Sequence, residues 1–134
     1  MGRSPVGWFP DGTKLLAQAT SFGAEHSSVW VISLLGGAAR EIREGALAWS
    51  VAPDGLLIAL TSTFFNSDIW LMGVNGEDPR KIATAEEGES LNWVVWSADS
   101  RRIAYEGSGC PLGPSACHTY CSLPNVTMVT GPEK

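Results

Sequence analysis

Trp49-Ser50-Val51-Ala52-Pro53-Asp54-Gly55-Leu56-Leu57-Ile58-Ala59-Leu60 carries the pattern that decides the fold: an aromatic-rich strand, an Asp-centred turn and a short apolar strand. The same order of features stands upstream as Trp8-Phe9-Pro10-Asp11-Gly12 before Leu15-Leu16-Ala17. Downstream it returns as Trp96-Ser97-Ala98-Asp99-Ser100 before Ile103-Ala104-Tyr105. Recurrence at a period of roughly 40 residues reports a stack of similar units, each burying its apolar faces against the next.

Working outward from this stretch, Ser28-Val29-Trp30-Val31-Ile32-Ser33 aligns without a gap on Asp68-Ile69-Trp70-Leu71-Met72-Gly73, and the same register carries Gly36 onto Gly76, Arg40 onto Arg80 and Ile42 onto Ile82. The two Pro-Asp-Gly turns are set three residues further apart, and the difference falls in the segments 21–27 and 62–66. Matched strands around a loop of variable length are what units on a common scaffold should show. Each unit reads as four short strands: about 6–9, 14–20, 28–33 and 39–42 in the first, and 47–52, 56–62, 68–73 and 80–83 in the second. The third offers only two, about 92–97 and 102–106.

The turns have a mechanism. Proline sets φ for the second position of a type I turn, aspartate suits the third, and glycine takes the left-handed position that follows. Pro10, Asp11 and Gly12 fill these places, as do Pro53, Asp54 and Gly55. In the third unit Asp99 stands between Ala98 and Ser100, so a less well-defined hairpin is expected there. Leu35-Gly36-Gly37 and Asn75-Gly76 carry the chemistry of a second tight turn.

The second strand of each unit is apolar on both faces. Leu15, Ile58 and Ile103 share one face with Ala17, Leu60 and Tyr105, while Leu16, Ala59 and Ala104 lie on the other. A one-sided sheet would alternate apolar with polar, so this strand expects neighbours above and below. Four-stranded sheets stacked face to face about an axis are β-propeller blades. A helical reading fails on the Gly/Pro punctuation and the absence of a sustained 3.6 period, and a plain β-sandwich does not require its units to repeat. The expected fold is therefore all-β, with four-stranded antiparallel blades in an incomplete, open propeller: blade 1 about 6–45, blade 2 about 46–85, a partial blade 3 about 91–106, and a poorly structured Gly/Pro/Cys-containing tail, 107–134.

Composition narrows the function classes. The chain has 134 residues, 44% hydrophobic and 17% charged, with 6 Trp, 15 Gly and 8 Pro, which suits short strands and tight turns. A formal charge of −5 argues against non-specific binding to nucleic acid or anionic membrane. No apolar run reaches the roughly 20 residues of a spanning helix, so no membrane insertion by this chain is expected. Met1–Pro5 leads into a strand-like segment without the apolar core of a signal peptide. The three cysteines, Cys110, Cys117 and Cys121, sit together near the end and form no disulfide framework.

The aromatic strand, Pro-Asp-Gly turn, Ile-Ala-Leu strand, Ile-Trp-Leu-Met strand, Gly turn and Arg-Lys-Ile run resemble the TolB-type β-propeller repeat, a Pro-Asp relative of the WD repeat, over about residues 6–106. The resemblance implies a six- or seven-bladed propeller serving in binding or sensing, and a periplasmic or extracytoplasmic bacterial setting. It also implies related contexts: the propeller that gates prolyl-oligopeptidase-like peptidases, and the sensor end of receptor-type Ser/Thr kinases. Two full units and part of a third are fewer than the roughly four to eight blades a closed propeller needs, so a fragment of a larger protein is expected.

Candidate sites are sparse. Hydrolytic catalysis needs a nucleophile, a base and an orienting acid; the only histidines are His26 and His118, and no G-x-S-x-G elbow occurs. No catalytic residue is therefore assigned. Cys110, Cys117, His118 and Cys121 are zinc-ligand types, but their spacing lacks a paired C-x-x-C knuckle, so no metal and no cofactor are expected. The acidic run 86–89 reads as a solvated inter-blade loop. His26 lies in a loop, and Trp49 and Trp93 sit at strand starts near a rim; these three form the candidate binding surface, although core packing is the expected role of a tryptophan. Trp30 and Trp70 occupy equivalent strand positions and read as packing residues.

The reading that follows is a non-catalytic module for an unidentified protein or peptide partner. Its competitor is an accessory propeller of a kinase or peptidase whose catalytic domain lies outside these residues. Uncovered blades and open sheet edges also favour self-association.

Overall fold

Each Asp-centred turn closes its hairpin with the same bond. Gly12 N–H donates to the Phe9 carbonyl (3.0 Å), Gly55 N–H to that of Ala52 (2.8 Å) and Ser100 N–H to that of Ser97 (3.0 Å). The donor is left-handed in all three, with φ of 72°, 77° and 61°. The third hairpin is thus as well formed as the others, contrary to expectation. Its compensation lies in the neighbouring turn: the Ser100 side chain is buried, and its Oγ accepts a 2.9 Å hydrogen bond from Asp54 N–H.

The computed structural model describes residues 2–20, 27–62, 68–85 and 90–108, with three short strands beyond them. Blade 1 comprises β1 (Gly2–Trp8), β2 (Lys14–Thr20), β3 (Ser27–Ser33) and β4 (Arg40–Glu44). Blade 2 comprises β5 (Ala46–Val51), β6 (Leu57–Ser62), β7 (Asp68–Gly73) and β8 (Arg80–Thr84). Both are four-stranded antiparallel sheets in simple meander order. In the third sheet β9 (Ser90–Trp96) pairs β10 (Ile103–Ser108), which pairs β11 (Thr119–Cys121). A separate pair joins β12 (Pro124–Asn125) to β13 (Thr130–Pro132).

Several strands run beyond their apolar cores: β1 begins at Gly2 and β10 ends at Ser108. Main-chain ladder bonds do not depend on side-chain identity, so pairing outlasts the alternation that reveals it. The same physics places β11, which has no counterpart in the repeat pattern, along the free edge of β10.

Irregularities repeat as faithfully as the strands do. The first hairpin of each blade shifts register once, between Pro5 and Gly7, between Ala48 and Ser50, and opposite the step from Ala104 to Glu106. The outer hairpin shifts at Val29/Trp30 in blade 1 and at Ile69/Trp70 in blade 2. Each such bulge re-aims the side chains beyond it.

The core is interblade. Leu16, Val29 and Val31 of blade 1 pack against Ile58, Leu60 and Met72 of blade 2. Ala59, Ile69 and Leu71 on the opposite side of blade 2 pack against Leu91, Val94 and Ile103. β6 is accordingly buried from above and below, as its sequence demands, and Ala59 is the small side chain that lets the third sheet approach. Burial of each large aliphatic side chain here is worth about 1.5–3 kcal/mol. The first strand of each later blade packs across the blade before it: β5 touches β1, β2 and β3, and β9 touches β5, β6 and β7.

Close approach is visible at the outer hairpins. A Cβ on Gly76, in the β7–β8 turn, would lie 2.8 Å from the Ile42 carbonyl oxygen on β4. Beside it, Arg40 Nη2 donates to Asn75 Oδ1 at 2.6 Å.

Candidate functional site

Asp11, Asp54 and Asp99 are hairpin residues. Their Oδ1 atoms accept backbone N–H bonds from Thr13 (2.9 Å), Leu56 (3.0 Å) and Arg101 (3.0 Å). Pro10 lies against Gly55, its side chain 3.7 Å from where a Cβ would stand, so the turns also touch across blades. The bond from Thr13 N–H, then that from its hydroxyl, holds the Asp11 carboxyl below the ordinary value of 3.8; the Ser97 hydroxyl, then Arg101 N–H, does the same for Asp99. A folded-state value depressed in this way stabilises the turn above the unfolded value and is lost as pH falls through the folded one. Stability is therefore expected to decline below about pH 4 with a contribution from both turns. Unfolding curves over a pH series should show a shallower acid decline for Asp99→Asn than for the native chain; an identical decline would remove Asp99 from the account.

Among the aromatic residues, Trp93 departs most from expectation. It is 67% exposed, not packed in a core, and its backbone is left-handed at φ 54°. The cause is the bulge in β9: Asn92 and Val95 are paired to β10 while Trp93 and Val94 both fall in the irregular step. Val94 takes the inward place and is fully buried, leaving the indole of Trp93 turned out. Trp49 occupies the corresponding bulge of β5, is half-buried against the second core cluster, and donates Nε1–H to Thr61 Oγ1 at 2.9 Å. The two rings meet at a centroid separation of 5.7 Å and a tilt of 54°. Trp49 is thus anchored and Trp93 leans on it, giving an aromatic ledge on neighbouring first strands.

Trp30 and Trp70 serve differently. Each lies under cationic side chains, Arg3 4.1 Å above Trp30 and Arg43 5.9 Å above Trp70, which accounts for them as packing residues. His26, Cys110, Cys117, His118 and the run 86–89 lie outside the described residues, and of Cys121 only the pairing in β11 is described. Among the described residues no three His, Cys, Asp or Glu side chains gather around one point, and no helix is long and apolar enough to cross a membrane. One feature escaped the sequence reading: an open groove of about 410 Å³ lined by Leu56, Leu57, Gly73, Glu77, Asp78, Pro79 and Arg80. Its only forewarning was the Asp78-Pro79 pair, where Asp78 is left-handed at φ 47°.

Antiparallel sheets stacked face to face, the first strand of each packed across the sheet before it, define an unclosed β-propeller of TolB-like fold. The solved structure of TolB from Acinetobacter baumannii superposes with a TM-score of 0.69 at 14% identity, covering 98% of this chain and 32% of that one. Putative TolB from Agrobacterium tumefaciens gives 0.68 at 16% identity, covering 83% of this chain and 40% of that one. The β-propeller domain of the Trilobed protease from Pyrococcus furiosus, described as having an open velcro topology, gives 0.65 at 20% identity, with 88% and 37% covered. The chain therefore spans well under half the length of these structures, and the likeness is one of fold. No protein-family model matches the chain, and no match is found among curated proteins.

Proposed function

We propose that the chain is a non-catalytic propeller module that binds a protein or peptide partner, with Trp93 and Trp49 at the contact. The observation that carries this reading is the backbone of Trp93. A bulky residue in the left-handed region costs on the order of 1–3 kcal/mol, and burial of the indole does not repay it, since the ring is 67% exposed. Strain spent on presenting an indole to solvent marks a site of contact. Tryptophan is suited to it, offering a large, stiff apolar surface and one N–H donor.

A random linear-peptide library selected on the immobilised chain supplies the probe. Affinity of the selected peptides is expected to fall at least about tenfold in Trp93→Ala, the loss of a hot-spot aromatic, and to be unchanged in Leu56→Ala. Peptides that bind Trp93→Ala as well as the native chain would place the contact elsewhere. A second reading, an accessory propeller of a receptor-type kinase or a prolyl-oligopeptidase-like peptidase, is favoured by the likeness to a protease's propeller domain. A kinase or hydrolase signature in the continuous reading frame would support it.

A further inference from the structure

The outer strands of blades 1 and 2 meet closely at one end, where Gly76 lies against the Ile42 carbonyl and Arg40 reaches Asn75. Towards the other end they part around a crevice of about 150 Å³, with Arg43 on one wall and Leu60, Asp68 and Trp70 on the other. Gly45, left-handed at φ 73°, carries the chain from β4 into β5 beside it, and a Cβ there would meet nothing within 4 Å. Both walls belong to blades whose four strands are all described.

Two donors at this crevice are unused. Arg43 is half-buried, 5.9 Å above the Trp70 ring, yet among the described residues its guanidinium is paired with no carboxylate and donates no hydrogen bond. Partial withdrawal from water is costly for a charge without a counterion, and it strengthens the attraction for one that arrives. The second donor is the Trp70 indole. At the matching place in blade 1, Trp30 Nε1–H donates to Ser28 Oγ at 2.8 Å. Asp68 stands at the Ser28 position but is paired with Lys81 at 3.8 Å, and Trp70 Nε1–H has no acceptor among the described residues. The Thr61 hydroxyl, also in the lining, is already taken by Trp49 Nε1–H.

Charge narrows the ligand to a class. Around the Trp70 ring two cations, Arg43 and Lys81, stand against one anion, Asp68. A single negative charge balances them, whereas the second charge of a phosphate would meet the Asp68 carboxylate. A planar carboxylate also matches the guanidinium fork. Ala46 and Leu60 supply apolar lining beside the ring, and a cavity of this volume takes up a molecule about the size of benzene.

We propose that this crevice binds a carboxylate carried on a short apolar body, the carboxylate on the Arg43 guanidinium and the apolar part among Trp70, Ala46 and Leu60. Isovalerate, a branched monocarboxylate of this size, is the probe. It is titrated at neutral pH and constant ionic strength into the 134-residue chain carrying isotope-labelled tryptophan. The Trp70 Nε1–H resonance, assigned by Trp70→Phe, is expected to shift saturably with a dissociation constant on the order of millimolar, while that of Trp30 stays in place. Arg43→Gln should raise the dissociation constant at least about tenfold, the loss of hydrogen bonds to a charged group. Arg43→Lys, which keeps the charge without the fork, should fall between. Circular dichroism confirms that the variants are folded, and isoamyl alcohol and isoamylamine on the native chain give a comparison that needs no variant. A peptide ending in valine with a free carboxylate forms a second arm: binding tighter than isovalerate assigns the anion to a chain terminus, weaker binding to a free acid, and either upholds the site. No response at Trp70, an equal response to the alcohol or the amine, or indifference to Arg43→Gln would overturn the proposal.

Discussion

Ile58→Ala is expected to lower the free energy of unfolding by about 2–5 kcal/mol, while Leu15→Ala, at the same place in the preceding blade, costs about 1 kcal/mol or less. Ile58 is fully enclosed between blades 1 and 2 and belongs to the cluster containing Leu16, Val29 and Leu60. Removing its methyl groups leaves a cavity that the two packed sheets cannot close without giving up their other contacts. Leu15 looks out from blade 1 and is half-buried, so the atoms removed from it leave space that solvent already reaches. Urea unfolding of both variants makes the comparison. Equal losses would mean that blade 1 is covered by something within the chain itself.

The second large effect belongs to glycine. Gly36 and Gly76 are left-handed at φ 103° and 88°, so alanine at either place carries the same backbone cost, about 1–2 kcal/mol. Only Gly76 lies against a neighbour: its added methyl would stand 2.8 Å from the Ile42 carbonyl oxygen, whereas nothing lies within 4 Å of a Cβ on Gly36. Relief requires the outer hairpin of blade 2 to lift from β4, straining the adjacent bond from Arg40 to Asn75. Gly76→Ala is therefore expected to cost about 1–3 kcal/mol more than Gly36→Ala, the range for overpacking a tight contact. Thermal or urea unfolding reads the difference directly. If the two variants match, the blades do not meet at the outer hairpin.

Both experiments rest on residues whose type was plain from the start and whose surroundings were not. The blade was legible because its signals are local. Alternation at β6 and the Gly and Asp turn residues follow from φ/ψ preferences and a two-residue period, and these act within a few residues of chain. The bulge at Trp93 was illegible for the complementary reason. An extra residue in one strand is defined by the partner strand, and it turned an indole expected in the core out to solvent. The third turn was misjudged for the same reason: Ser100 lacks glycine's freedom, yet its hydroxyl is held by the Asp54 N–H of the preceding blade. β11 had no repeat signature because an edge strand is recruited through its main chain.

By itself, then, the sequence determined the unit, its four-strand order, the two-faced second strand and the structural role of Asp11, Asp54 and Asp99. Tertiary structure alone decided the fate of equivalent residues: Trp96 is packed and Trp8 exposed, Val74 is covered and Leu34 bare. The physical reason is that strand and turn preferences belong to a residue and its chain neighbours, whereas burial on a sheet face belongs to whichever sheet lies across from it.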